Sequence, residues 1–300
     1  MRLLLCCCLL LLSACQTARP LPPLPAWQSP QGREHADLGL IRDLRSGASL
    51  TPAQLVEQLA AAPRVLVGEQ HDNPDHHRLQ LWLLQALAAQ RPQGSLLLEM
   101  LTPDQQDRVI AAHAATLDGQ APADLPAALA WQNNWHWALY GPIVRYALEQ
   151  PYPLQAANLN RGEVMQIYAA RPELQGRLST TAAVRETLLA DIRESHCGLL
   201  PEAQMPAMLA VQQQRDRRMA ERLQAAPSPA LLLAGGFHAQ RDLGVPLHLA
   251  DLGVGAGTLV LQLAEVGKPV SAASADFVWY SAALPEQDHC ASLRRPAPAQ

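Results

Sequence analysis

The chain has 300 residues, 49% of them hydrophobic and 17% charged, which suffices for one large core or two small ones. A formal net charge of -4 at pH 7 argues against nucleic acid as a main partner. Basic character comes almost wholly from arginine, with Lys268 the one lysine, a bias that reads as genomic base composition before it reads as function.

The N-terminus reads as a targeting segment. Arg2 is a short positive region and Leu3 to Leu12 an apolar run too short to span a bilayer. Leu12-Ser13-Ala14-Cys15 then matches a bacterial lipobox, so residues 1–14 are expected to be a lipoprotein signal peptide. Cys15 is expected to be diacylated, with palmitate among its acyl groups, and to become the first residue of the mature chain. The alternative is an ordinary signal peptide cut elsewhere. Gln16 follows where an Asp would favour the inner membrane, so the expected location is the outer membrane, lipid-anchored and facing the periplasm. Several acyl chains on one terminus make that attachment stable. Residues 15–32 carry Pro20, Pro22, Pro23, Pro25 and Pro30 and read as a semi-rigid tether holding the domain off the lipid.

Beyond the tether, short apolar runs alternate with helical patterns. Strands are predicted at 64–68, 95–99, 153–157, 230–234 and 258–263, and helices at 74–91, 103–115, 141–150, 179–195 and 204–225. Alternation of this kind predicts an α/β domain over 33–290, with a mainly parallel sheet flanked by helices. Only one convincing strand falls between about 100 and 230, so that stretch is expected to be a largely helical insertion over the carboxyl edge of the sheet. Residues 291–300 are again Pro-rich and are expected to be disordered. Neither standard phosphate-binding glycine motif is present, which argues against a nucleotide site.

The most informative stretch is Gly68-Glu69-Gln70-His71-Asp72-Asn73-Pro74-Asp75-His76-His77, where a strand empties into a turn and Pro74 follows an N-cap. A matching event places Gly235-Gly236-Phe237-His238 after 230–234. Glu69, His71, Glu99 and His238 thus fall at strand ends on one edge, where open α/β sheets bind ligands, and Asn158 and Arg161 follow another strand. Burying such groups is costly unless they pair with one another or with a ligand. One reading is structural, with Glu69 paired to Arg161. The other is a metal site, or a general base at His71. In helix 204–225, Gln212 and Asp216 interrupt the apolar stripe of Leu209, Met219 and Leu223, and either reach this cluster or sit at a wet margin.

Aromatic residues are scarce but concentrated in Trp131, Trp135, Trp137 and Tyr140, beside His136. That segment is either core packing or a flat ligand platform. No Cys-x-x-Cys-His motif is present, so covalent haem attachment is excluded. After processing, Cys197 and Cys290 remain, either as one disulfide in an oxidising compartment or as two free thiols.

The segments at 68–77 and 235–249 resemble the ChaN-like haem-binding uptake lipoproteins of the Tiki superfamily. Leu98-Glu99-Met100, Ala157 to Arg161, Gln213 to Ala220 and Asp276 to Tyr280 extend the resemblance, which spans roughly 33 to 290. It implies haem binding for iron acquisition by a homodimer, with two haems stacked face to face and a Tyr ligand to each iron. Tyr140 is the first candidate ligand and Tyr280 the second, while Tyr146, Tyr152 and Tyr168 look like packing residues. Histidines are implied at the propionates across the dimer, with His77, His136 and His196 as candidates. An outer-membrane haem receptor system is a further expected partner. The superfamily also contains metal-dependent proteases and esterases, so the alternative is a hydrolase holding a divalent metal ion with Glu69, His71, Glu99 and His238. The absence of a nucleophile elbow and of a His-Glu-x-x-His motif leans against an enzyme.

Overall fold

The computed structural model describes residues 20–288, 290 and 291. The signal peptide, Cys15 and the tail beyond residue 291 lie outside the described residues. In chain order, β1 (Ile41–Asp43) and β2 (Ser49–Leu50) form a small hairpin, followed by α1 (Pro52–Ala60), β3 (Arg64–Glu69), α2 (Pro74–Gln90) and β4 (Ser95–Leu98). Three helices come next, α3 (Gln106–Leu117), α4 (Leu125–Ala128) and α5 (Trp137–Leu148), before β5 (Leu154–Ala156). Helices α6 (Arg161–Ala170), α7 (Ala182–Ser195) and α8 (Met205–Ala225) then lead to β6 (Ala230–Gly235). The chain closes with α9 (Gly236–Ala239), α10 (Val245–Asp251), β7 (Thr258–Glu265) and β8 (Phe277–Ser281).

These strands make one sheet in the order β2-β1-β8-β7-β3-β6-β4-β5. Six of them, from β8 to β5, run parallel, while β1 pairs antiparallel with both β8 and β2. The five predicted strands are all present, and β1, β2 and β8 are additions at one edge. Apolar residues occupy both parities of the central strands because both faces are covered. Val65, Val67, Leu231, Leu233, Leu261 and Leu263 face one layer with Trp82, Leu83 and Ile143. On the other face, Leu66, Leu232 and Val260 meet Met219 and Leu223 of α8 and Leu249 of α10. The stretch 100–230 therefore splits between the two faces: α3 and α5 join the first layer, and α8 belongs to the second.

Residues 20–31 do not behave as a free spacer. The Trp82 indole donates to the Pro22 carbonyl at 2.9 Å, and Leu21 and Trp27 pack on the first-face core. The buried Asp75 carboxylate, in the first turn of α2, accepts from the backbone N–H of Gln28 at 2.6 Å and of Ser29 at 2.9 Å. Prolines that lack an N–H suit such an edge, and the buried carboxylate satisfies the donors that remain.

At the far end of the sheet, buried Asp276 accepts from Val260 N at 2.8 Å and pairs with both Arg45 and Arg241. Cys197, in the left-handed region at φ 60°, forms a disulfide with Cys290 across 93 residues of sequence. Cys290 is thereby fixed to the end of α7. Unreduced protein from residue 16 onward should show no alkylatable thiol, and the double Cys197→Ser, Cys290→Ser variant should lose about 2–5 kcal/mol of stability in denaturant titration. Equal midpoints for variant and parent would refute the stabilising role.

Candidate functional site

Both parts of the site grow out of strand ends. β3 carries Glu69 to the carboxyl edge, and the turn that follows folds His71 back over it. α2 then starts at Asn73, whose side chain accepts from Asp75 N while its amide donates to Glu265 Oε1 at 2.9 Å. His71 Nδ1 lies 2.6 Å from Glu69 Oε1. The Tyr140 hydroxyl donates to the same oxygen at 3.0 Å and is 3.1 Å from His71 Nδ1. Burial lowers the affinity of His71 for a proton, but the bond to Glu69 and the charges of Glu69 and Glu99 more than reverse this, so its pKa is raised. Glu69 Oε2 is buried without a hydrogen-bond partner, 3.9 Å from His77 Nε2.

The second part joins β4, α8 and the turn after β6. Glu99 Oε2 accepts from Gly235 N at 2.7 Å, and Oε1 lies 3.4 Å from His238 Nε2. His238 Nδ1 is 2.5 Å from Asp216 Oδ1, and the Gln212 amide donates to Asp216 Oδ2 at 3.3 Å. His238 is thus an imidazolium between two carboxylates. Burial opposes its charge, but Glu99 and Asp216 raise its pKa to about 10. Burial likewise opposes the charge of Glu99, and His238, helped by His71 and the Gly235 N–H, brings its pKa down to about 2.

Glycine is required where the two parts meet. A Cβ on Gly235 would stand 2.8 Å from His71 Cε1 and 2.9 Å from Nε2, so the imidazole rests directly on the bare backbone. Gly68 has the same function one strand away, leaving room for the Gln262 side chain that donates to Gly236 O at 2.9 Å.

Above this floor is a cavity of about 570 Å³, lined by Glu69, His71, Gly235 and His238 below. Leu188 and Ile192 of α7, with Leu243, Pro269 and Val270, supply apolar walls. Phe237 stands at the cavity 61% exposed, and Lys268 at the rim is 2.7 Å from Glu265 Oε2 and 3.1 Å from Gln70 Oε1. The volume lies in the range of roughly 300–1,000 Å³ usual for ligand and cofactor sites.

Of the residues singled out in the sequence, Glu69, His71, Glu99, Asp216 and His238 converge here, and Gln212 and Asp216 reach the cluster from α8. Asn158 stands one step back, donating to the Glu99 carbonyl at 2.9 Å. Arg161 does not join: Asn160 caps α6, and Arg161, first in that helix, is exposed, so the expected Glu69–Arg161 pair is absent. His77 is buried, with Nε2 3.0 Å from the His71 carbonyl and its ring edge-on to Tyr140, which leaves it no face for a propionate. His136 is exposed at the start of α5, and His196 caps α7 with Nδ1 2.7 Å from the Ile192 carbonyl.

The aromatic segment is packing rather than an open platform. Tyr140 is 1% exposed and is ringed by Trp131, Trp135 and His77, with Trp135 also edge-on to His71. Burial, and the charge and bond of Glu69 beside it, push the Tyr140 hydroxyl far above the ordinary phenol range. Tyr280 is half-buried instead, and stands in register with Ala264, a cavity-lining residue on the neighbouring parallel strand. The cavity walls were not legible in advance. Leu188 and Ile192 share a helix face by their spacing of four, but nothing in that spacing says the face meets a void.

A mainly parallel sheet thus carries paired carboxylates and imidazoles at its carboxyl edge, under a cavity with apolar walls. Residues 55–249 match the model of the family described as haem-binding uptake, Tiki superfamily, ChaN, and the chain belongs to that family. Among solved structures it is similar to the ChaN of Campylobacter jejuni described with cofacial haem, at 28% identity and a TM-score of 0.74, covering 85% of this chain and 98% of that one. A second likeness, to the MARTX toxin effector domain RRSP of Vibrio vulnificus, has 17% identity and a TM-score of 0.44, covers 79% of this chain and 39% of that one, and carries no argument. No curated protein matches the sequence.

Proposed function

We propose that this member of the haem-binding family is an outer-membrane-anchored periplasmic lipoprotein that takes up haem for iron acquisition, as a homodimer around stacked haems with a tyrosine ligand to each iron. The observation that carries haem uptake is the cavity at the carboxyl edge. Its walls suit the flat apolar ring, and the rim cation Lys268 suits a carboxylate of the ligand. When bound, haem supplies the iron, and the chain's residues only hold and shield it. Tyr280 is the favoured ligand, because its phenol is half-buried beside a cavity strand, whereas Tyr140 is committed to Glu69. Dimerisation rests on the cofacial haem of the Campylobacter protein, and anchoring on the lipobox at Cys15. Delivery by an outer-membrane haem receptor system fits that location.

Titrating haem into the soluble domain from residue 16 onward should give a saturable Soret band. Replacing Leu188 and Ile192 together by Glu should weaken it at least tenfold, since each puts a charge against the apolar ring. Unchanged affinity in that variant would move the site elsewhere on the molecule.

A hydrolytic reading retains one observation, the two carboxylate–imidazole groups that share a cavity floor. Its metal-dependent form lacks support, because among the described residues no group of three or more His, Cys, Asp or Glu is arranged to hold a metal ion. We favour a structural role for the cluster, which the melting temperatures of Glu99→Gln and His238→Ala would separate from a catalytic one.

A further inference from the structure

The docked N-terminal segment fixes which side of the domain meets lipid. We infer that the first face of the sheet, around Leu24, seats against the membrane surface that holds the acyl chains of Cys15. This inference rests on the lipid-anchor reading.

The argument begins with reach. Four residues, Gln16 to Arg19, separate Cys15 from Pro20. Fully extended, that stretch spans about 17 Å at most. From Pro20 onward the chain is stitched to α2, by Pro22 to Trp82 and by Gln28 and Ser29 to Asp75. The domain therefore cannot swing on a Pro-rich stalk, and the point of attachment lies on the α2 layer. That layer covers the face of the sheet opposite α8 and α10.

The surface at the attachment has the chemistry of a lipid contact. Leu24, four residues beyond Pro20, is 51% exposed. Two exposed arginines bond the segment a few residues further on. Arg33 donates to the Trp27 and Gln28 carbonyls, each at 3.1 Å, and Arg78 to the Ala26 carbonyl at 3.5 Å. Exposed guanidinium groups on the same segment as an exposed apolar side chain suit anionic headgroups over an acyl boundary. The α7 wall of the cavity stands across the sheet from this patch, since α7 packs on α8. Seating the first face on lipid thus turns the cavity wall toward the aqueous side, where a ligand or a second copy can approach.

The test uses the full mature lipoprotein in vesicles of phosphatidylethanolamine and phosphatidylglycerol, with nitroxides on Leu24→Cys and, separately, Met165→Cys. Met165 lies on α6, 58% exposed, against α8 on the second face. Flotation is measured first. Floating protein should show a several-fold higher ratio of oxygen to nickel-chelate collisions at position 24 than at position 165. Floating protein with equal ratios, or with the higher ratio at 165, would overturn the seating and leave the anchor standing. Protein that does not float would overturn both.

Discussion

Glu99→Gln and His238→Ala are each expected to lower the melting temperature while leaving the far-UV spectrum of the folded state unchanged. In the parent, His238 donates toward Glu99 and Asp216 with all three side chains buried. Removing the imidazole strands two buried carboxylates, and neutralising Glu99 leaves an imidazolium with half its compensation. Breaking a buried pair on one side costs on the order of 3–5 kcal/mol. At roughly 2–4 °C per kcal/mol for chains of this size, the loss is about 6–20 °C. If the cluster were a catalytic device held in place by other contacts, both variants would melt within about 2 °C of the parent, an effect of under 1 kcal/mol.

The same pair sets a pH window. Glu99 falls from its ordinary 4.5 to about 2, so its contribution is complete above pH 4.5 and is lost as pH drops toward 2. His238 rises from 6.5 to about 10, so its contribution is complete below pH 6.5 and is lost as pH climbs toward 10. The parent should therefore gain most from this pair between pH 4.5 and 6.5 and weaken steadily on the alkaline side. In Glu99→Gln the alkaline decline should flatten, because the imidazolium has lost one of the charges that raised its pKa.

How far the sequence exposed this arrangement depended on the kind of signal. The central strands were legible because a strand buried on both faces must be apolar at every position, and Val65-Leu66-Val67 and Leu231-Leu232-Leu233 leave no other reading. The edge hairpin was not, since Ile41–Asp43 and Ser49–Leu50 are too short for any period to show and are defined by pairing, of β1 with β8 and of β2 with β1. The convergence of Glu69, Glu99 and His238 followed from strand ends of one parallel sheet. Arg161 failed by the same logic. It follows a strand too, but Asn160 and Glu163 close a capping box, and the helix begins before that side chain can turn inward. Side-chain direction on α5 was equally out of reach. Spacing grouped Tyr140 with an aromatic surface, and only the packing of α5 on α2 decides that this surface faces inward.

That inward turn makes the pair of phenol variants decisive for the haem ligand. Tyr280→Phe is expected to abolish the ferric tyrosinate spectrum with little change in stability, because its phenol is half-buried beside Ala264 and the ring is kept. Tyr140→Phe is expected to leave the spectrum as it is and to destabilise the fold by about 1.5–3 kcal/mol, the worth of one hydrogen bond to a charged acceptor that keeps its bond to His71. The acceptor is Glu69 Oε1, and the other oxygen of that carboxylate already lacks a partner. Ionising Tyr140 for iron would set a phenolate 3.0 Å from the Glu69 carboxylate in a buried site, where like charges repel most strongly. Should Tyr140→Phe lose the spectrum while Tyr280→Phe keeps it, the α5 segment must open away from α2 when haem binds. Retention of the spectrum in both single variants would end the assignment to either phenol.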